Sequence, residues 1–199
     1  MNMYRGNSSR FFPIVVVLIV VAISIAALVS LGQAIFGGGT PAQKDTGQQA
    51  LTSTDGANSV SMTVRGPITA DEEFHTYTVL ISPSSRSLVT YTGYMNQVLG
   101  SKQLNNNEQA YEQFVYALNY ANFMKDSALT GDKNDIRGIC AGGSVYQFSV
   151  LQNGSAVKQL WTSTCRGSAG SFHGSVSQIS SLFLLQIPNS ADLLRAIDL

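Results

Sequence analysis

Two histidines, two cysteines and twelve carboxylates are all that the 199-residue chain offers for acid–base, nucleophilic or metal chemistry. His173 lies in GSAGSFHGS, with Ser171 and Ser175 each two residues away. An imidazole beside a hydroxyl can act as general base for a serine nucleophile, which makes His173 the candidate catalytic residue of an anchored hydrolase. Against this, a serine at i±2 is local chain geometry rather than a triad, and no GxSxG element occurs, so a Gly/Ser-rich loop is the preferred reading. His75 follows Asp71, Glu72 and Glu73, a pattern that suits a pH-sensitive or cation-binding edge. A solvated turn leading into a strand explains the same residues and is preferred. Asp126, Asp132 and Asp135 fall in DSALTGDKND, which lacks the ligand periodicity and terminal Glu of a calcium loop. There is no phosphate-binding loop, no GxGxxG and no CxxC, so no metal and no cofactor is expected.

Cys140 and Cys165 flank a hairpin signal centred on Asn153–Gly154. A two-residue turn there pairs residues whose numbers sum to 307, whereas the cysteine numbers sum to 305, so a bulge or a slightly longer loop is needed to bring them opposite. An even count with no third thiol fits one structural disulfide, and closing a loop of about 25 residues adds on the order of 3 kcal/mol in the chain-entropy picture. Asn153-Gly154-Ser155 also matches a glycosylation acceptor, although the turn alone accounts for it.

Seven of the eight tyrosines and the only tryptophan lie beyond residue 57. Aromatic side chains supply contact area at low entropic cost, and Tyr91, Tyr94 and Trp161 are the candidate binding residues, provided they are exposed.

The elements that must position these residues begin with a membrane anchor. Between Arg10 and Lys44 there is no charge, and Ile14 to Leu31 carries no polar side chain except Ser24 and Ser30. Eighteen such residues span about 27 Å as a helix, and extension to Phe36 covers a bilayer core of about 30 Å. Pro13 suits the first turn. Arg5 and Arg10 precede the segment without a carboxylate, so the N-terminus is expected in the cytoplasm and the rest outside it. Cleavage after Ala34, which would release a secreted inhibitor or adhesin-like domain, is the competing expectation; the apolar run is longer than a signal peptide needs. A type IV pilin also starts with a short basic leader and an apolar helix, but here no Glu stands early in that run and Gly37, Gly38 and Gly39 interrupt it. The expected organisation is a cytoplasmic end over 1–12, a transmembrane signal anchor over 13–36, a flexible linker over 37–57 and an extracytoplasmic domain over 58–199.

That domain carries 9 basic and 10 acidic residues, and the whole chain balances 12 against 12, which excludes a strongly basic nucleic-acid binder. SVSMTVRG, HTYTVLIS and RSLVTYTGY read as strands, as do the two arms around Asn153–Gly154. Ala110, Phe114, Ala117, Leu118 and Ala121 fall at helical spacing with Tyr111 and Val115 beside them, predicting a helix from Asn107 to Met124 with Asn106 and Gln109 as its capping box. Val176, Ile179, Leu182 and Phe183 predict a second helix stopped by Pro188, with Ser190 capping a short last one; SLFLLQI as a buried strand is the alternative. The fold class is therefore α+β, a mostly antiparallel sheet of about five strands packed against one amphipathic helix and C-terminal helices. Few titratable groups on an anchor and tether point to a non-catalytic binding module of the cell envelope, bound to the bilayer through 13–36 and to an envelope protein or surface polymer through its head.

Overall fold

Alternation in NSVSMTVR produces β1 (Asn58–Arg65), whose Asn58, Val60, Met62 and Val64 are buried while Ser59, Ser61, Thr63 and Arg65 are not fully covered. The computed structural model containing this strand describes residues 46–197 and 199, so the expected anchor over 13–36 and the cytoplasmic end lie outside the described residues. Among the described residues no helix is long and apolar enough to cross a membrane.

β1 pairs antiparallel with β2 (His75–Ile81) on one side and β5 (Val145–Gln152) on the other; β3 (Ser85–Thr92), β4 (Gln97–Asn105) and β6 (Ser155–Ser163) complete an antiparallel sheet in the order β4-β3-β2-β1-β5-β6. The expected five strands are thus six. β4 escapes sequence reading because QVLGSKQLN has no apolar alternation, and it has none because an edge strand leaves most of its side chains in solvent.

One face of the sheet forms the core with the helices: Val60, Met62, Val79, Ile81, Leu88 and Phe148 lie under α2 (Glu108–Tyr120) and α3 (Val176–Leu185). Tyr111, Phe114, Val115 and Leu118 of α2 are buried, the apolar stripe read from their spacing. Phe114 meets Phe183 of α3 edge to face at 5.3 Å, so the two helices lock through their rings. The cap of α2 is Asn107, whose side chain accepts from the Ala110 N–H at 2.9 Å; Asn106 instead donates to the Ser82 carbonyl at 2.7 Å. The helix stops at Tyr120, because Asn122 adopts a left-handed backbone (φ 58°) and the Phe123 N–H turns back to the Leu118 carbonyl. SLFLLQI is not a strand: Ser181–Leu185 are the last residues of α3 and Gln186 is its C-cap, while Ser175 caps its start. α4 (Ser190–Leu194) follows, preceded by Asn189 without a side-chain cap; the Ser190 hydroxyl does not cap it.

The second correction concerns the linker. α1 (Thr46–Thr52) lies within it, packs against α2, β1, β5 and β6, and buries Leu51 completely. Two apolar residues in TGQQALT give too little periodicity for a sequence signal; docking on the core supplies the stability that a seven-residue helix lacks alone.

The β5–β6 turn has Asn153 and Gly154 both at positive φ (51° and 76°), as a tight two-residue hairpin requires. A bulge between Val150 and Leu151 changes the pairing sum from 307 to 308, away from the cysteines. The disulfide between Cys140 and Cys165 forms by another route: β5 begins only at Val145, and a turn in which the Gly143 N–H bonds the Cys140 carbonyl folds Cys140 back, to 5.4 Å Cα–Cα from Cys165.

Candidate interaction surface

The face of the sheet opposite the helices is built from the positions that alternate with the core. Reading across the register, Gln103, Ser87, Leu80, Ser61, Ser149 and Gln159 form one row. The next is Ser101, Val89, Thr78, Thr63, Gln147 and Trp161, with the Thr63 and Thr78 hydroxyls hydrogen-bonded at 3.0 Å. A third, from Val98 through Tyr91 and Thr76 to Arg65 and Val145, carries the one charge of the three. The Arg65 guanidinium bonds the Ile139 carbonyl, and burial draws its pKa below the usual value, an effect the nearby Tyr94 opposes.

One corner of this face is covered. Val145 and Trp161 pack with Cys140, Leu129, Ile136, Ile139 and Cys165 in a small apolar cluster closed by the disulfide. Trp161 is only 4% exposed and its indole N–H bonds Asn134 at 3.0 Å, so it is a core residue of this lobe, not an exposed binding residue. Its surroundings tolerate little change: Gly170 has φ 72°, and a Cβ there would stand 2.1 Å from the Trp161 carbonyl oxygen.

At the opposite corner the β3–β4 hairpin projects an apolar group. Tyr94 is half exposed, Met95 is 94% exposed, and Val98 and Leu99 follow. Leu99 is the extra residue of a bulge opposite Thr90 and Tyr91, which turns it out of the ladder. The tip is held firmly. The Tyr94 ring stacks on buried Phe74 at 4.1 Å, its hydroxyl bonds the Thr69 carbonyl at 2.8 Å, and its N–H bonds the Asp71 carboxylate at 2.7 Å. Gly93, at φ 72°, lies so close to that carboxylate that a Cβ would approach it to 3.0 Å. Tyr91, on the open face, is half-buried.

Asp71, Glu72 and Glu73 form a short 3-10 turn beside this hairpin. Glu72 lies between a cleft of about 590 Å³, lined also by Pro67, Thr69, Glu73, His75 and Leu199, and one of about 430 Å³, lined by Asp71, Thr92, Gly93, Met95 and Gln97. The His75 Nδ1 is buried without a hydrogen-bond partner among the described residues.

The remaining candidates are dispersed. His173 is exposed, and its Nε2 lies 2.8 Å from the Ser127 hydroxyl, not from Ser171 or Ser175. The Ser171 hydroxyl accepts from the buried Trp161 N–H, and that of Ser175 caps α3. Asp126 pairs with Lys158 at 2.7 Å; Asp135 binds Arg137, whose side-chain and backbone hydrogen bonds bring the carboxyl down to about 2. Among the described residues no three His, Cys, Asp or Glu side chains converge as a metal site requires. Sequence reading missed the hairpin tip as a unit, since its exposure follows from the unseen β4; the MN pair inside TGYMNQV, with no core-facing alternation, was the available signal. No protein-family model matches the chain, and no curated protein matches it, which leaves the geometry of this surface as the ground for a functional reading.

Proposed function

We propose that this chain is a single-pass membrane protein, anchored through residues 13–36 with a cytoplasmic N-terminus, whose extracytoplasmic domain is a non-catalytic binding module of the cell envelope. The observation that carries the binding role is the rigid hairpin tip, where Tyr94, Met95, Val98 and Leu99 present apolar surface beside a sheet face of hydroxyls and amides. Exposed aromatic and Met side chains on a fixed support are what protein interfaces are enriched in, and a face whose three rows carry a single charge, Arg65, suits an envelope protein or a neutral surface polymer. The disulfide supports an oxidising compartment, and the 18-residue apolar run after Arg10 supports the anchor.

The test is crosslinking in intact cells followed by purification of the full chain. Capture of a reproducible envelope component that is lost in a Met95→Asp, Leu99→Asp double variant and kept in His173→Ala supports the module. Recovery of the chain alone from both counts against it. The contact between His173 and Ser127 favours one other reading, an anchored hydrolase, which requires that His173→Ala abolish hydrolysis of a generic ester by the purified protein.

A further inference from the structure

Among the described residues β4 ends the sheet, and the pattern of its hydrogen bonds shows which backbone groups it leaves unpaired there. The Asn106 N–H bonds the Ser84 carbonyl, and Ser85 faces Asn105 in the next position of the ladder. Antiparallel pairs alternate between bonded and non-bonded positions, so Leu104, Lys102 and Gly100 direct their N–H and C=O groups toward β3. Ser101, Gln103 and Asn105 direct theirs away from the sheet. All three residues are exposed, and no backbone partner outside β3 is found for them among the described residues.

Natural edge strands are protected by prolines, by charges or by cover. β4 has no proline and a single charge, Lys102. That ammonium is drawn to the helix side, where it donates to the Pro188 carbonyl at 2.6 Å, so it does not stand over the open edge. What remains along the edge is Ser101, Gln103 and Asn105, uncharged and hydrogen-bonding.

The geometry points to a second copy of this chain as the partner, its β4 pairing antiparallel with β4 about a two-fold axis at Gln103. The register follows from the unpaired groups. Residues that direct their backbone outward must face one another, so Gln103 meets Gln103 and Ser101 meets Asn105 in both directions, giving about six new backbone hydrogen bonds. The intervening positions place Lys102 opposite Leu104. The alternative centre, at Lys102, pairs Ser101 with Gln103 in both directions but sets Asn105 opposite the bulged Leu99, so it forms about four bonds rather than six and is disfavoured. No carboxylate lies on β4 to oppose its copy. In the register centred on Gln103 no like charges stand directly opposite, so the strand is self-complementary in hydrogen bonding, and pairing joins the two Ser/Thr/Gln faces into one twelve-stranded surface.

The test uses the full chain in mild detergent. Sedimentation velocity of the wild type shows a concentration-dependent dimer. Gln103→Lys, a change at an exposed side chain, sets like charges across the axis and weakens the dimer about fivefold or more. Gln103→Glu does the same, and mixing the two variants restores the dimer. Gln103→Cys, with Cα atoms about 5.5 Å apart in a bonded pair, crosslinks on oxidation, whereas Gln159→Cys on the other edge strand does not. A monomeric wild type, or a dimer indifferent to both charged variants, overturns the pairing; the latter would place the contact elsewhere, including residues 1–45.

Discussion

Replacing Tyr111 by Phe should stabilise the domain at neutral pH and protect it further at high pH. Tyr111 is fully buried in α2, and its hydroxyl has no hydrogen-bond partner among the described residues. An unsatisfied buried hydroxyl costs about 1–3 kcal/mol, so its removal, with the ring kept in place, is worth about 1 kcal/mol after the small lost volume is allowed for. Burial also pushes the phenol up to about 12, from an ordinary value of 10.0. A raised pKa means that the native state holds the proton more tightly than the unfolded chain does. The stability tied to this group is therefore complete below pH 10 and is lost as pH rises from 10 toward 12. At pH 11 the unfolded tyrosine is mostly ionised and the native one mostly protonated, which removes about 1.4 kcal/mol from the wild type and nothing from the variant. The advantage of Tyr111→Phe should thus grow from about 1 kcal/mol at pH 7 to about 2.4 kcal/mol at pH 11. Urea unfolding followed by the fluorescence of Trp161, the only tryptophan, measures both values. Neither cysteine is free, so alkaline thiol exchange does not intrude. Tyr77, whose pKa is also raised by burial and secondarily by Tyr146, is present in both proteins and drops out of the difference. A variant less stable than wild type at pH 7, or an advantage that does not grow with pH, would refute the reasoning.

Other outcomes follow from packing and covalent geometry. Removing the disulfide by the double change Cys140→Ala and Cys165→Ala should cost about 3 kcal/mol in urea unfolding, given the 25-residue separation. Leu51→Ala should cost about 2–5 kcal/mol, the range for deleting a fully buried leucine; a cost under about 0.5 kcal/mol would return 46–52 to the status of a tether. Gly170→Ala should lower the unfolding temperature markedly, because positive φ and the Trp161 carbonyl both oppose a Cβ, whereas Gly154→Ala meets only the backbone penalty in open space. Met95→Ser, at a 94% exposed side chain, should leave stability within about 0.5 kcal/mol of wild type, so any loss of partner capture reports on contact rather than folding.

Several elements could be read from local pattern alone. Alternation in β1 and β2, the Asn153–Gly154 turn and the 3.6-residue spacing of Tyr111, Phe114, Val115 and Leu118 each report which side of an element meets the core. The cysteine pairing was legible because only two exist, although the register argument offered for it was not the one the chain uses. Local pattern is silent where an element's environment is set from afar. β4 carries no alternation because neither of its faces is fully buried, and α1 is a helix because Leu51 finds a pocket among strands distant in sequence. Trp161 shows the same limit at the candidate site: its position on a solvent-side row of β6 gives it the spacing of a surface aromatic. A segment some twenty-five residues earlier, tied back by Cys140 and Cys165, covers it and leaves Tyr94 and Met95 exposed at the other corner. Periodicity records which way a side chain points; whether anything stands in front of it depends on contacts between segments that the periodicity of neither contains.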